Sequence, residues 1–390
     1  MGISLGLVGL GAFGSGFADL FHRHPLVDKI ALCDRDPNRI AEFANRDDWQ
    51  TKLSGTYGSL DEICKSDVDA LVVITQHSLH APQCVQAMES GKHVYSAVPV
   101  ITVPDGEEIL TWCDRLVRTC ERTGLHYMLG ETTYFRPETA YCRRQAEVDA
   151  FGGFVYSEGE YYHDVDSPTC TLRDVRAHRI EGDAGREWLE TEQKYINRGS
   201  KMSPMFYPSH STSGPMSVMD AHAVKVSAWG YKDQTNDPFF ADAAFSYETA
   251  LFQMSNGATM RICEHRQIGL PGRETFRIYG TLGGFESGSW VDKNGSYPKS
   301  IDEMRDPLPV EVSNAFAGDS GSTEFYGGHG GSHAFLAYEF VDAIAKERKP
   351  AISVWDAARY TAAGVAAHMS ALKDGETVAL PDWGDGPDRK

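Results

Sequence analysis

Three things are scarce in this 390-residue sequence, and each scarcity closes off a class of function. No apolar run reaches the length needed to cross a bilayer, and the first twenty residues read as a strand and a glycine turn without a basic n-region. A soluble, cytoplasmic protein is expected. The eight cysteines, at 33, 64, 84, 113, 120, 142, 170 and 263, include no C-x-x-C pair, which suits reduced packing thiols better than a disulfide framework or zinc site. Positive charge is short as well. Thirty-seven Lys and Arg stand against 55 Asp and Glu, and the net charge of −18 opposes nucleic acid and anionic membranes as partners. Internal repeats and long polar tracts are also missing. A chain of this length with 41% hydrophobic residues can bury a substantial core and is expected to hold two domains.

What is present begins with residues 3–9, an apolar, β-branched run leading into Gly9-Leu10-Gly11-Ala12-Phe13-Gly14, followed by helical apolar spacing over 15–23. This is a strand, a glycine turn and a helix start. The first glycine permits the turn, the second lets backbone approach a pyrophosphate, and the third lets helix pack on strand. A second apolar run, 30–33, ends at Asp34, 20 residues past Gly14, the spacing at which a carboxylate meets the adenosine ribose diol. A carboxylate there would repel a 2′-phosphate, so NAD is favoured over NADP. Arg35, between Asp34 and Asp36, is counted among the cofactor contacts. Runs at 71–75, 93–95 and 125–130 alternate with helical patterns at 79–90 and 105–123, a βαβ rhythm that predicts a doubly wound parallel sheet. Past 152 the pattern changes to alternating segments at 154–162, 245–254, 258–264 and 274–279, read as an open, mainly antiparallel sheet. Residues 171–201, rich in charge, are expected to be an insertion of loop and short helix. Helical patterning returns at 333–346 and 355–372. The expected division is 1–130, an NAD-binding Rossmann domain, and 131–390, a substrate-binding α+β sheet domain whose C-terminal helices pack back on the first.

With these features the chain resembles the Gfo/Idh/MocA family over nearly its whole length. The carrying residues are Gly9 to Gly14, Thr75 to His80 ahead of Ala81-Pro82, Gly91-Lys92-His93-Val94, and the sheet beginning at Gly152-Gly153. The resemblance implies cofactor contacts from Thr75, His77 and His80 after the fourth strand and from Ser96 and Ala97 after the fifth. Family members usually show Glu-Lys-Pro after that fifth strand, the lysine handling the substrate hydroxyl; this chain has Ala97-Val98-Pro99. They also usually carry an Asp four residues before a catalytic His, where this chain has Phe206 before His210.

A smaller branch, the NAD-dependent redox glycosidases, is more similar. Its Tyr-Pro-Thr-His motif is matched by Tyr207-Pro208-Ser209-His210, its Tyr-x-His-Asp segment by Tyr161-Tyr162-His163-Asp164, its strand-end Glu by Glu131, and its Gly-Gly-His-Gly-Gly loop by Gly327 to Gly331 around His329. In the mechanism this resemblance implies, NAD+ takes hydride from a sugar carbinol, the ketone acidifies the C2 hydrogen, the glycosidic oxygen leaves by elimination, water adds, and the hydride returns. Such a cycle needs two bases and an acid with tuned pKa values. Tyr207 and His210 are expected at the oxidation proton, and Tyr161 with His163 at the C2 proton or leaving group. Glu131 is expected to orient a sugar hydroxyl or stabilise a cationic partner, and His329 to touch ligand. The bland readings stand beside these: one of Tyr161 and Tyr162 as core, His163 and Asp164 as a strand-end turn, His210 bonded to Ser211 or Thr212.

No metal is expected, because an organic redox cofactor leaves His163, Asp164 and Asp166 without a task that requires one. Arg173 and Arg176 head a set of arginines in the 171–201 segment whose forks suit a carboxylate, sulfonate or phosphate, so an anionic glycoside such as a uronide or sulfoquinovoside is one expected substrate class. The acidic residues of the same segment argue for surface pairing instead. A sugar or cyclitol dehydrogenase and a non-catalytic sugar or cofactor sensor are the alternative functions. The resemblance further implies a homo-oligomer, dimer or tetramer.

Overall fold

The computed structural model describes residues 2–168, 171–318 and 323–387. Cys170 lies outside them; the other seven cysteines are buried and unpaired with one another. Strands β1 (Ile3–Val8), β2 (Val27–Cys33), β3 (Leu53–Tyr57), β4 (Ala70–Val73), β5 (His93–Ala97) and β6 (Tyr127–Gly130) form one sheet in the order β3-β2-β1-β4-β5-β6. All its pairings are parallel. Parallel strands need crossovers, and helices supply them on both faces, which is why these strands read as continuous apolar runs. The order reverses between β1 and β4. A crevice opens at the carboxyl ends of the strands there, the place where such sheets bind ligands.

One crossover shows how sequence sets an element. In the helix Gly106–Thr123, Asp105 accepts from the amides of Glu107 and Glu108, Ile109, Cys113, Leu116, Val117 and Cys120 form the buried stripe, and Gly124 ends the helix at φ 69°. Against it packs the helix Val354–Ala371 from the far end of the chain. That helix is buried on nearly every side, as its alanine-rich sequence allows.

The second sheet comprises β7 (Phe154–Tyr162), β8 (Ala223–Tyr231), β9 (Tyr247–Met254), β10 (Thr259–His265), β11 (Arg273–Gly280), β12 (Gly283–Glu286), β13 (Ser289–Asp292), β14 (Gly295–Pro298) and β15 (Val378–Ala379). Its order is β14-β13-β12-β11-β7-β10-β9-β8-β15, with β7 and β10 parallel and the other pairs antiparallel. The expected fold class, a doubly wound parallel sheet followed by a mainly antiparallel one, is what is found. The charged segment differs from expectation. It is a helical hairpin, Leu172–Glu181 and Asp183–Ile196, rather than loop with a short helix. Thr171 caps the first of these by accepting from the amide of Asp174, while the first buries no side chain and the second only Glu192 and Tyr195, so no apolar stripe announced them. Among the described residues no helix is long and apolar enough to cross a membrane.

Two small residues bring the site's helix and turn into place. A Cβ on Gly159 of β7 would lie 1.8 Å from the carbonyl oxygen of Ser211, so glycine there lets the helix Ser209–Met219 touch the sheet backbone. A Cβ on Gly364 would lie 2.1 Å from the carbonyl oxygen of Met205, which seats the turn before Tyr207 on the helix Val354–Ala371. Gly159→Ala should therefore lower the melting temperature by about 5 °C or more. Gly16→Ala, exposed in the helix Ala12–Arg23 with no atom within 4 Å of the new methyl, should stabilise by about 0.5–1 kcal/mol. Thermal melts followed by circular dichroism check both, and an unchanged melt for the first would refute the close contact.

Candidate active site

The glycine turn has the shape a dinucleotide needs. Gly9 takes φ 91°, and a Cβ on it would lie 2.1 Å from the carbonyl oxygen of Ile74; one on Gly14 would lie 2.0 Å from the carbonyl oxygen of Gly9. These two are glycines for internal packing. Gly11 differs: its Cβ would meet only Nη1 of Arg39, at 3.6 Å, and would otherwise fill open cleft over the start of the helix Ala12–Arg23, whose first amides have no side-chain cap. An uncapped helix N-terminus with room above it fits a diphosphate. Asp34 is fixed beside it, one carboxylate oxygen accepting from the Leu10 amide at 2.7 Å and the other from the Asp36 amide at 2.9 Å. Arg35 turns away to form two hydrogen bonds, 2.7 and 2.9 Å, with Glu187 of the helical hairpin.

Around the turn runs a cleft of about 1670 Å³. Gly9, Gly11, Ala12, Phe13, Gly14, Asp34, Arg35, Thr75, His77, His80 and Ala97 all line it; Ser96 does not, being buried with its hydroxyl on the Ala97 carbonyl. His80 braces the cleft floor through the carbonyls of Pro99 (2.8 Å) and Thr75 (3.1 Å). Val98 stands there as an apolar wall, and its carbonyl accepts from the Tyr207 hydroxyl at 3.3 Å.

The second sheet presents its own groups to the same cleft. Tyr161, His163, Tyr207, His210 and His329 line it. Tyr161 and His163 share a hydrogen bond of 2.8 Å. The Tyr161 ring lies 4.9 Å from that of His210 and 6.5 Å from that of Tyr207, with Tyr207 and His210 at 5.4 Å. His329, in the left-handed region at φ 53°, stacks over His210 at 6.2 Å and meets Phe13 edge-on. The glycine loop thus bridges the dinucleotide turn and the second sheet.

Glu131 does not reach the cleft. It is wholly buried behind His210, accepting from the Thr133 amide at 2.9 Å and lying 2.8 Å from Nδ1 of His210. Glu274 stands on the other side of that nitrogen at 3.5 Å, bound by Arg136 and the Thr133 hydroxyl. Burial acts against charge on both members of the His210 pair, but the two carboxylates raise the imidazole to about 9, and the imidazolium pulls Glu131 well below the ordinary carboxylate range. The resting pair is an imidazolium and a carboxylate. Glu131, His210 and Glu274 could be seen as a metal-ligand trio, yet each facing atom is already engaged in this hydrogen-bonded ion network.

Burial raises Tyr207, opposed first by Arg179; burial also raises Tyr161, opposed by Arg266, whose guanidinium lies 4.7 Å over its ring. Arg266 is paired with Glu264 at 2.7 Å, and Glu264 accepts from Ser211, next to His210. Buried with those partners, Glu264 is pushed up to about 7. Asp164 serves a turn, accepting from the amides of Ile268, Gly269 and Asp166. Arg173 does not line the cleft, held instead between Asp166 and Asp237; Arg176 does line it and is paired with Glu192 at 2.9 Å. Sequence reasoning missed Glu264, Arg266, Glu274 and Arg136, and counted Arg179 only as one of the arginines in the 171–201 segment. The signal for the acids was there: Glu264 and Glu274 keep step with the buried Met260 and Ile262, and with Phe276 and Ile278, so each strand carries an acid on its apolar face.

With this geometry in hand, comparison with known proteins identifies the parts. Residues 3–131 match the Gfo/Idh/MocA description, oxidoreductase family, NAD-binding Rossmann fold, and residues 196–388 match the glycosyl hydrolase 109 C-terminal domain. A glycosyl hydrolase family 109 protein of Streptomyces niveus is 24% identical over all of this chain and 78% of its own length. In solved structures the fold is shared with a levoglucosan dehydrogenase in complex with NADH (TM-score 0.68, 17% identity, 98% of this chain and all of that one). It is also shared with a scyllo-inositol dehydrogenase of Lactobacillus casei with bound NAD(H) and scyllo-inositol (TM-score 0.65, 15% identity, 97% and 99%). The chain thus joins a domain matching the Gfo/Idh/MocA family to one matching the glycosyl hydrolase 109 C-terminal domain, and is an NAD-dependent enzyme, glycosidase or oxidoreductase.

Proposed function

We propose that this enzyme hydrolyses glycosides by transient oxidation of the sugar. The observation that carries the reading is the convergence of two tyrosine–histidine pairs on the cleft that also holds the glycine turn. When bound, NAD+ would supply a two-electron oxidation of a sugar carbinol and the matching reduction at the end. Everything else falls to the chain's own residues. Tyr207, flanked by Arg179 and Arg266, takes the carbinol proton in its phenolate form, which the imidazolium of His210 beside it stabilises, and is left as the neutral phenol until the proton returns in the final reduction. Tyr161 and His163, sharing one proton along their hydrogen bond, remove the hydrogen on the carbon next to the ketone and protonate the departing glycosidic oxygen. The C1–O bond breaks in that elimination, water then adds at C1, and the net change is hydrolysis. Glu131 touches no substrate; it is a positioning residue that keeps His210 charged and oriented. Asp34 reads the ribose, and His329 closes over the reacting region.

In the same reading the enzyme works in the cytoplasm as a homo-oligomer. Trp229, Tyr231 and Leu251 stand exposed on the face of the second sheet turned away from the helix Ser209–Met219, an apolar surface of the kind copies of a chain bury. Light scattering after size exclusion should give a dimer or tetramer, and a monomer at micromolar concentration would contradict it.

The decisive assay follows aglycone release and NADH absorbance together on aryl glycosides. Aglycone release without accumulating NADH is expected, with one solvent deuterium entering at C2 in heavy water. Stoichiometric NADH with the glycoside intact would make the enzyme a dehydrogenase, and silence in both channels with an NAD-loaded protein would remove the glycosidase reading.

Glu131→Gln tests the charge on His210. Because the folded pKa is raised above the ordinary 6.5, the pair's stabilisation is fully present below about pH 6.5 and is lost as pH rises through about 9. Removing the carboxylate should lower the His210 pKa, destabilise the protein by about 3 kcal/mol and reduce kcat by about 100-fold. Imidazole nitrogen NMR and pH-rate profiles measure it; a His210 titration unmoved by the substitution would show that the pair is not an ion pair.

A further inference from the structure

Among the described residues six arginines line the cleft, and five of them face a carboxylate: Arg35 with Glu187, Arg39 with Asp34, Arg176 with Glu192, Arg186 with Asp183 and Arg266 with Glu264. Arg179 has no carboxylate partner among the described residues. Its guanidinium lies 3.4 Å from Nδ1 of His77, and the His77 ring lies 5.5 Å from that of Tyr207. In a chain with 55 acidic residues against 37 basic ones, an unmatched cation beside the reactive tyrosine is an exception. His77 cannot neutralise it: burial and the guanidinium itself hold that imidazole well below its ordinary pKa, so it stays uncharged.

The neighbouring acids are already spoken for. Glu131 and Glu274, the two carboxylates acting most strongly on Tyr207, are matched by His210 and Arg136. Three further described acids line the cleft: Asp36 faces Arg39, Asp242 acts on Glu192 of the Arg176 pair, and Asp174 sits in the first turn of the helix Leu172–Glu181, where its charge meets the helix N-terminus. Arg179 is on that same helix, two turns on from Arg173, which is fixed between Asp166 and Asp237 and so anchors the helix over the cleft. A planar fork carried on an anchored helix, resting against His77 within electrostatic reach of Tyr207 and lacking a counter-charge, is suited to an anion that arrives with the substrate.

We propose that Arg179 is the specificity-determining residue for a glycoside whose sugar bears an anionic substituent, a carboxylate, sulfonate or phosphate. This rests on the glycosidase reading of the same site. The shared chemistry of these three groups is a delocalised oxyanion that accepts two parallel N–H bonds; the diphosphate of a bound dinucleotide would be the other anion within the cleft, and the experiment separates the two.

NAD-loaded wild type, Arg179→Gln and Arg179→Lys would be assayed on aryl glucuronides, 6-sulfo-glycosides and 6-phospho-glycosides in both anomers, beside the neutral glucosides. Binding of free glucuronate, glucose 6-phosphate, 6-sulfoglucose and glucose would be measured by calorimetry, and NAD affinity by fluorescence. At least one anionic series should exceed the neutral one in kcat/KM by about 100-fold, and Arg179→Gln should remove that preference through KM, while the loss of its field at Tyr207 lowers kcat on anionic and neutral glycosides alike. Arg179→Lys should recover part of it, and NAD affinity should stay within about 3-fold in both variants. Wild type favouring neutral sugars, equal losses of kcat/KM on both classes, or a loss confined to NAD would overturn the proposal, the last assigning the guanidinium to the diphosphate. Arg179-dependent binding of free sugar acids without aglycone release would sustain it while removing the glycosidase reading; release from neutral glycosides alone would do the reverse.

Discussion

The buried ion pair between Glu131 and His210 is the constraint on which the rest of this enzyme's centre depends. Glu131 arrives directly after β6 of the parallel sheet, while His210 stands on the helix that covers the antiparallel one. Each alone would be a charge in an apolar interior, costing several kcal/mol. Together, and with Glu274 and Arg136 closing the network, they make the meeting of the two sheets itself a condition of electrostatic balance. Any movement that separated the halves at this point would uncover one uncompensated charge. The pair therefore couples the placement of the substrate groups to the placement of the cofactor turn.

That balance could not be struck without unusually close packing. The N-terminal turn of the helix Ser209–Met219 lies against β7 because residue 159 has no side chain, and the turn carrying Tyr207 rests on the helix Val354–Ala371 because residue 364 has none. Across strands β9, β10, β7 and β11, register places Glu248, Glu264, Tyr161 and Glu274 in one row beneath that helix. Glu248 is held by His368 at 2.6 Å and by Ser203, the cap of the turn before Tyr207; Glu264 is held by Arg266 and Ser211; Glu274 is held by Arg136. Each acid of the row thus ties one reactive side chain, or the turn that carries it, to the sheet. Phe206, buried with its edge toward His368, keeps that anchor dry.

Much of this could be read from the sequence, and the divide has a physical cause. The glycine turn, Asp34 and the parallel sheet were legible because their signals are local: a few residues apart, each with a backbone reason. Tyr161, His163, Tyr207 and His210 were nameable through short motifs, but nothing local says that two segments some 40 residues apart place their rings within 5–7 Å of one another. The acid row was hidden for a similar reason. Each strand shows one glutamate among apolar residues, which reads as a blemish in the alternation until register aligns the strands. Arg173 and Arg176 stood out by type and spacing, yet pairing decides which arginine has charge to offer, and pairing is set by Asp237 and Glu192, far off in sequence. The helical hairpin was missed because its helices bury so little that periodicity had nothing to report.

The placement of positive charge ties these observations together. Among the described residues no lysine lines the cleft, and Val98 presents only an apolar side chain and a carbonyl to Tyr207. A buried tyrosine next to a carbonyl oxygen has every reason to keep its proton, since burial raises it and the carbonyl accepts from its neutral form. Such a residue can exchange protons with a substrate only if cations approach from elsewhere. Here they come from the part of the chain that follows the parallel sheet, Arg266 over Tyr161 and Arg179 beyond His77, with the imidazolium of His210 between the two rings. Arginine stays charged under all ordinary conditions, so unlike lysine it contributes field without competing for the proton. In the proposed reaction the division of labour follows: tyrosines and histidines move protons, arginines fix the field in which they move, and buried glutamates hold the arginine and the histidine in place.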